Sequence, residues 1–179
     1  RGEELQCKTV GIMVYGNMGS AFAKKLIGFD VSIIAYDKYK TGFGDQFVEE
    51  VDFTELVEHA DVLSLHVPLT PETKDFLSLE ILNKFKKPFY LINTARGEII
   101  SFETLNKALD LGVLKGAVLD VLENEKFSAF SEEQKASFAK LAKRENVVFS
   151  PHVAGWTFQS YEKINQVLVE KMKVRGVIY

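Results

Sequence analysis

The chain has 179 residues, 46% hydrophobic and 26% charged, with a formal charge of −3. That length suffices for one domain with a full core, and the composition is that of an ordinary globular protein. Scattered charges leave no basic stripe for nucleic acid, no run approaches 18 apolar residues, no secretory signal is visible, and the single cysteine, Cys7, has no internal disulfide partner, so a cytoplasmic protein with no nucleic-acid or membrane partner is expected.

The first apolar run, Thr9–Val14, reads as a strand, and helical spacing follows over Asn17–Gly28. A second run, Val31–Tyr36, precedes Asp52, which starts a helix over Phe53–Ala60 with Glu55 placed for a capping box. Val62–Val67 reads as the third strand, Ser78–Phe85 as a short helix and Phe89–Asn93 as the fourth strand. Ser101 caps a helix through Leu111, which Gly112 ends. Gly116–Val121 is the fifth strand, Leu122–Phe130 an irregular connection, Glu132–Lys143 an amphipathic helix and Val147–Phe149 the sixth strand. The last helix, Thr157–Val174, carries Phe158, Tyr161, Ile164, Leu168 and Met172 as an apolar stripe.

Near-continuous apolar strands alternating with helices predict an α/β fold with a parallel sheet covered on both faces. The simplest assembly is a three-layered, doubly wound Rossmann-type sheet of six strands, in the order 3-2-1-4-5-6. Without an internal linker, residues 1–179 read as a single dinucleotide-binding domain.

The stretch "TVGIMVYGNMGSAFAKKL" resembles the Gly-x-Gly-x-x-Gly turn that wraps a dinucleotide pyrophosphate. Gly16 lets backbone approach the phosphates, and Gly19 lets the helix pack on the first strand. Val14 stands where the first glycine belongs. If that position needs positive φ, valine costs about 1–3 kcal/mol of strain; if it is extended, the cost is local crowding. The expectation is weakened cofactor binding in an intact fold. Asp37, 18 residues beyond Gly19, is spaced to bind the adenosine ribose and to repel a 2′-phosphate. That favours NAD over NADP, although Lys38 and Lys40 soften the preference. His66 ends the third strand beside the cofactor cleft, and His59 reads as a helix-surface residue.

Three ionisable residues follow later strands: Arg96, Glu125 and His152. A guanidinium holds a carboxylate with two hydrogen bonds. An imidazole moves a hydroxyl proton, and a neighbouring carboxylate orients it. That set interconverts a 2-hydroxy acid and a 2-oxo acid. Each residue alone also reads as an ordinary surface charge or loop residue. No His, Cys and acid spacing suggests a metal site.

Five motifs, "KTVGIMVYGNMG", "HADVLSLHVPLTPETK", "LINTARGEII", "LKGAVLDVLENE" and "VVFSPHVAGWT", occur in one order over nearly the whole chain. Together they resemble the NAD-binding domain of the D-isomer-specific 2-hydroxyacid dehydrogenases, phosphoglycerate dehydrogenase-like members above all. The resemblance implies Arg96 as substrate-binding arginine, Glu125 as acid partner and His152 as proton-transfer histidine. It places Asn17 and Met18 over the pyrophosphate, and Asp37 at the ribose. Thr94, Ala95, Asp120, Ala154 and Gly155 fall beside the nicotinamide. It implies hydride transfer between NAD and a small D-2-hydroxy acid, with 3-phosphoglycerate the first choice, in an oxidoreductase that is commonly a homodimer. Such enzymes carry a second, substrate domain; none is read in this chain, so little turnover is expected of it alone. The competing reading is a non-catalytic nucleotide-binding or scaffold module, with NAD binding impaired by Val14.

Overall fold

Seven parallel strands form one sheet in the computed structural model, which describes residues 2–177. They are β1 (Thr9–Met13), β2 (Ser32–Tyr36), β3 (Val48–Glu50), β4 (Val62–Leu65), β5 (Phe89–Asn93), β6 (Leu114–Leu119) and β7 (Val147–Phe149). The order is β3-β2-β1-β4-β5-β6-β7. The helices are α1 (Asn17–Leu26), α2 (Phe53–His59), α3 (Leu79–Leu82), α4 (Phe102–Asp110), α5 (Glu132–Leu141) and α6 (Phe158–Val174).

Two strand expectations need correction. The sheet has seven strands where six are expected, because Val48–Glu50 pairs with β2 from Ile33↔Val48 to Ala35↔Glu50. It carries one buried residue, Val48, and two glutamates, so no apolar run announces it. It takes the outer place expected of the run at Val62. That run instead pairs with β1 on its other side, from Val10↔Val62 to Met13↔Leu65. The crossover through α2 carries the chain back over β1.

Helix starts follow local chemistry. Asp52 accepts from the Glu55 N–H at 2.8 Å, and Glu55 accepts from the Asp52 N–H at 2.9 Å, which completes the capping box. Ser101 caps α4, and Thr157 caps α6. Side chains alternate across the sheet. Ile33 and Ala35 join Val10, Ile12, Ala23 and Leu26 in one core cluster, whereas Ile34 joins Leu56, Leu63, Phe89 and Phe102 in the other. The stripe of α6 is different: the helix forms, but none of its residues is buried, and Phe158 is 94% exposed. Among the described residues no helix is long and apolar enough to cross a membrane.

Two glycines fix close approaches. A Cβ on Gly19 would lie 2.4 Å from the Val14 carbonyl oxygen, so α1 packs directly on the end of β1. One on Gly97 would lie 1.8 Å from the Leu122 oxygen, where the loops after β5 and β6 touch. Gly97→Ala is therefore expected to destabilise the fold by about 3 kcal/mol, at the upper end for overpacking. Urea unfolding measures this, and a loss under 1 kcal/mol would show that the loops separate freely.

Candidate active site

The turn after β1 holds the first group of site residues. The Val14 N–H donates to the Tyr36 carbonyl at 2.8 Å and continues the β1–β2 ladder. Val14 then takes φ +74°, the strained member of the two alternatives that the sequence leaves open. A β-branched residue adopts this conformation only when its surroundings force it. Here the next N–H, of Tyr15, donates to Asp37 Oδ2 at 3.0 Å. The buried Tyr15 ring stacks on Phe43 with centroids 4.6 Å apart, and Gly19 presses α1 against the Val14 carbonyl.

Gly16 is the N-cap of α1, with no side-chain cap and no acid in the first turn. The first helical bond runs from the Ser20 N–H to the Gly16 oxygen. The N–H groups of Asn17, Met18 and Gly19 precede it and have no partner within the helix. A Cβ on Gly16 would meet nothing within 4 Å, and Met18 is 67% exposed. An open, uncapped helix start suits a diphosphate.

Asp37 has a structural role in its own loop. Besides Tyr15, it accepts from the N–H groups of Tyr39 at 2.9 Å and Lys40 at 3.2 Å. Among the described residues Oδ2 takes a single donor, which leaves it able to accept from a further hydroxyl. His66, at the end of β4, is half-buried. Its Nε2 lies 3.1 Å from Ser64 Oγ, its ring is 5.4 Å from Phe22 of α1, and burial holds its pKa below the ordinary 6.5.

The second group lies beyond β5, β6 and β7. Fully buried Asn93 shapes the loop after β5: its Oδ1 accepts from the Ala95 N–H at 3.0 Å, and its Nδ2 donates to the Arg96 carbonyl at 2.9 Å. Thr94 and Arg96 are exposed, and Ala95 is buried. Arg96 Nη1 donates to the Ala95 carbonyl at 2.6 Å, and no carboxylate among the described residues pairs with the guanidinium. It is available to an incoming anion.

His152 and Glu125 meet directly, with Nδ1 2.7 Å from Oε1 and both side chains half-exposed. Both line a cavity of about 430 Å³ together with Leu122, Phe127, Phe138 and Phe149. His152 adopts φ +54°. Asp120 holds the backbone around it: Oδ1 accepts from Ser150 Oγ at 2.5 Å and from the Val153 N–H at 2.9 Å, and Oδ2 accepts from the Ala154 N–H at 3.0 Å. Asp120 is only 4% exposed. Burial pushes its pKa up, but the bonds from Ser150, Ala154 and Val153, with the charge of His152, outweigh that and hold it below 3.8. Asp120, which the family resemblance places beside the nicotinamide, holds with both its oxygens the loop that carries His152, Ala154 and exposed Gly155.

Two supporting residues escape the sequence reading. Asn93 is one, although a polar residue ending an apolar strand could have flagged it. Glu123 is the other: it accepts from the Phe102 N–H at 2.6 Å and from Gln134 Nε2 at 2.9 Å, and so anchors the segment that leads to Glu125.

Comparison with known proteins follows this geometry. The family profile described as "D-isomer specific 2-hydroxyacid dehydrogenase, NAD binding domain" matches residues 1–154. A glyoxylate reductase of Thermofilum pendens is 38% identical over 96% of this chain and 49% of its own length. A hydroxypyruvate reductase of Thermotoga maritima is 37% identical over 96% of this chain and 54% of its own. The crystal structure of a D-isomer specific 2-hydroxyacid dehydrogenase from Lactobacillus delbrueckii ssp. bulgaricus, in its NAD-complexed form, superposes with a TM-score of 0.85 at 33% identity, covering 98% of this chain and 55% of that one. The chain belongs to the NAD-binding domain family of the D-isomer specific 2-hydroxyacid dehydrogenases. It spans about half the length of the curated relatives it matches.

The Asp120 anchor predicts a pH signature. A carboxylate whose folded pKa is depressed contributes stability that is present above its unfolded value and lost as pH falls through the folded one. Asp120→Asn should therefore cost about 2 kcal/mol at pH 7, with the difference from wild type shrinking below pH 3.8. Urea titrations across pH measure both; a cost independent of pH would contradict the charged anchor.

Proposed function

We propose that this member of the D-isomer specific 2-hydroxyacid dehydrogenase family binds NAD along the carboxyl edge of its sheet and interconverts a small 2-oxo acid and its D-2-hydroxy acid. The whole chain, 1–179, acts in this reading as the dinucleotide-binding domain. The observation that carries it is the Glu125–His152 pair at 2.7 Å on the same edge as the open start of α1.

The residues fit the cofactor. The N–H groups of Asn17, Met18 and Gly19 bind the pyrophosphate, with Gly16 leaving room, and Asp37 accepts from the ribose. His66, Thr94, Ala95, Ala154 and Gly155 border the nicotinamide half. Bound NADH supplies a hydride to the substrate carbon, and NAD takes one up in the reverse direction.

Arg96 grips the substrate carboxylate and draws electron density from the adjacent carbonyl. Glu125 occupies His152 Nδ1 and leaves Nε2 to face the substrate. In the reducing direction His152 Nε2 donates the proton that the new hydroxyl oxygen requires; in the oxidising direction it accepts that proton. The Glu125 carboxylate offsets the charge on the imidazolium. Arg96, as the one site cation assigned to substrate, suits glyoxylate or hydroxypyruvate, the substrates named in the relatives. The 3-phosphoglycerate first choice adds a phosphate that requires a further cation. His152 and Arg96 stand open to water, so the isolated chain turns over slowly.

Val14, at φ +74°, favours the second reading, a domain with impaired nucleotide binding that serves as a scaffold. A chimera separates the two. This chain replaces the matching half of the Thermofilum pendens glyoxylate reductase, and NADH-dependent glyoxylate reduction is assayed. His152→Gln should lower kcat by about 10²- to 10⁴-fold, the contribution of a positioned acid–base group, with NADH affinity unchanged. Equal activity with and without the imidazole would sink the catalytic assignment.

A further inference from the structure

Two lysines follow Asp37 in the chain, Lys38 and Lys40. A 2′-phosphate on the adenosine ribose is an anion, and ammonium groups beside the ribose acid would suit it. Both are already engaged, Lys40 at the turn itself and Lys38 away from it. Lys40 Nζ donates to the Tyr15 carbonyl at 3.3 Å and lies over the Tyr15 and Phe43 rings, 5.4 and 5.6 Å from their centroids. Lys38 Nζ pairs with Glu72 Oε1, and the neighbouring Tyr39 hydroxyl donates to Glu72 Oε2 at 2.6 Å.

The place of this bridge in the fold matters more than its strength. Lys38 and Tyr39 lie in the loop after β2, and Glu72 lies in the loop after β4. In the sheet β1 runs between those two strands. The bridge therefore spans two strand spacings, roughly 10 Å, across the carboxyl end of β1 where the Val14–Gly16 turn lies. Each partner favours the charged form of the other: Glu72 raises the Lys38 pKa through the hydrogen bond, and Lys38 with Tyr39 lowers that of Glu72. At 56% and 50% side-chain exposure, the pair has a net attraction small enough for a single substitution to release the lysine.

We propose that Glu72 is a cofactor-specificity residue: by holding Lys38 it withholds one ammonium from the adenosine end, and so sets this domain against 2′-phosphorylated nucleotides. Asp37 supplies direct repulsion, and Glu72 withholds a second ammonium, beyond that of Lys40, which would relieve it. The inference rests on the NAD reading above. It adds a residue 34 positions away from Lys38 to the discrimination otherwise assigned to Asp37.

The test uses AMP and adenosine 2′,5′-bisphosphate, which differ by the 2′-phosphate alone. Each is titrated calorimetrically into wild type, Glu72→Gln and the double variant Glu72→Gln/Lys38→Gln. Wild type should prefer AMP. Glu72→Gln should shift the affinity ratio toward the bisphosphate about threefold to fivefold, the range an exposed ion pair supplies. The double variant should return to the wild-type ratio, and added salt should erase the shift. An unchanged ratio in Glu72→Gln, or a gain that survives loss of Lys38, would overturn the inference while leaving the NAD reading intact. Absence of AMP binding by wild type would remove the NAD reading and the inference with it.

Discussion

Parallel pairing is the constraint on which the site depends. All six strand pairings run in the same direction, so every strand ends at one edge of the sheet. Each return crosses a face, and the faces become apolar cores. Polar groups at the strand ends are thereby sorted to a single rim. That is how Gly16, Asp37, Arg96, Glu125 and His152, spread over most of the chain, come to share one edge. Chemistry that needs a diphosphate site, a carboxylate clamp and a proton carrier together follows from topology more than from any single motif.

Backbone strain sits at two places on this rim, after β1 and after β7. Val14 and His152 each occupy the left-handed region, at a cost of order 1–3 kcal/mol apiece. Each is held by a carboxylate that accepts backbone N–H groups nearby: Asp37 from Tyr15, and Asp120 from Val153 and Ala154. Charge-assisted bonds of this kind are roughly twice as strong as neutral ones. The same two acids then have double roles. Asp37 closes the turn that the proposed NAD reading assigns to the ribose, and Asp120 fixes the imidazole loop without pairing with the imidazole itself.

What the sequence reveals follows the range of the interaction concerned. Caps depend on neighbours three residues apart, so Asp52 with Glu55, and Ser101, are legible, whereas Thr157, read as the first residue of the last helix, is its N-cap. The apolar strands are legible because their residues form near-continuous hydrophobic runs, buried on both faces throughout in β4 and only in part in β5, β6 and β7. β3 is not, since an edge strand with one buried residue leaves no such mark, and missing it displaces the expected place of the Val62 run. The Glu125–His152 pairing could be anticipated from chemical roles, but the Asp120 anchor joins positions more than thirty residues apart through backbone N–H groups that carry no residue signature. The Lys38–Glu72 bridge is hidden because 34 positions separate two charges that each read as ordinary surface residues. The stripe on α6 shows that periodicity identifies a helix without stating what covers it.

The central claim is that the strained turn at Val14 is a working NAD site, formed at a cost that glycine would not incur. Calorimetric titration of NAD into this chain and into Val14→Gly tests it most directly. The account predicts that both bind, with the glycine variant tighter by about threefold to tenfold, because relieved strain returns as affinity only in part. Equal affinity would show that valine imposes no penalty on the turn. No binding by either protein would contradict the assignment of this edge to NAD.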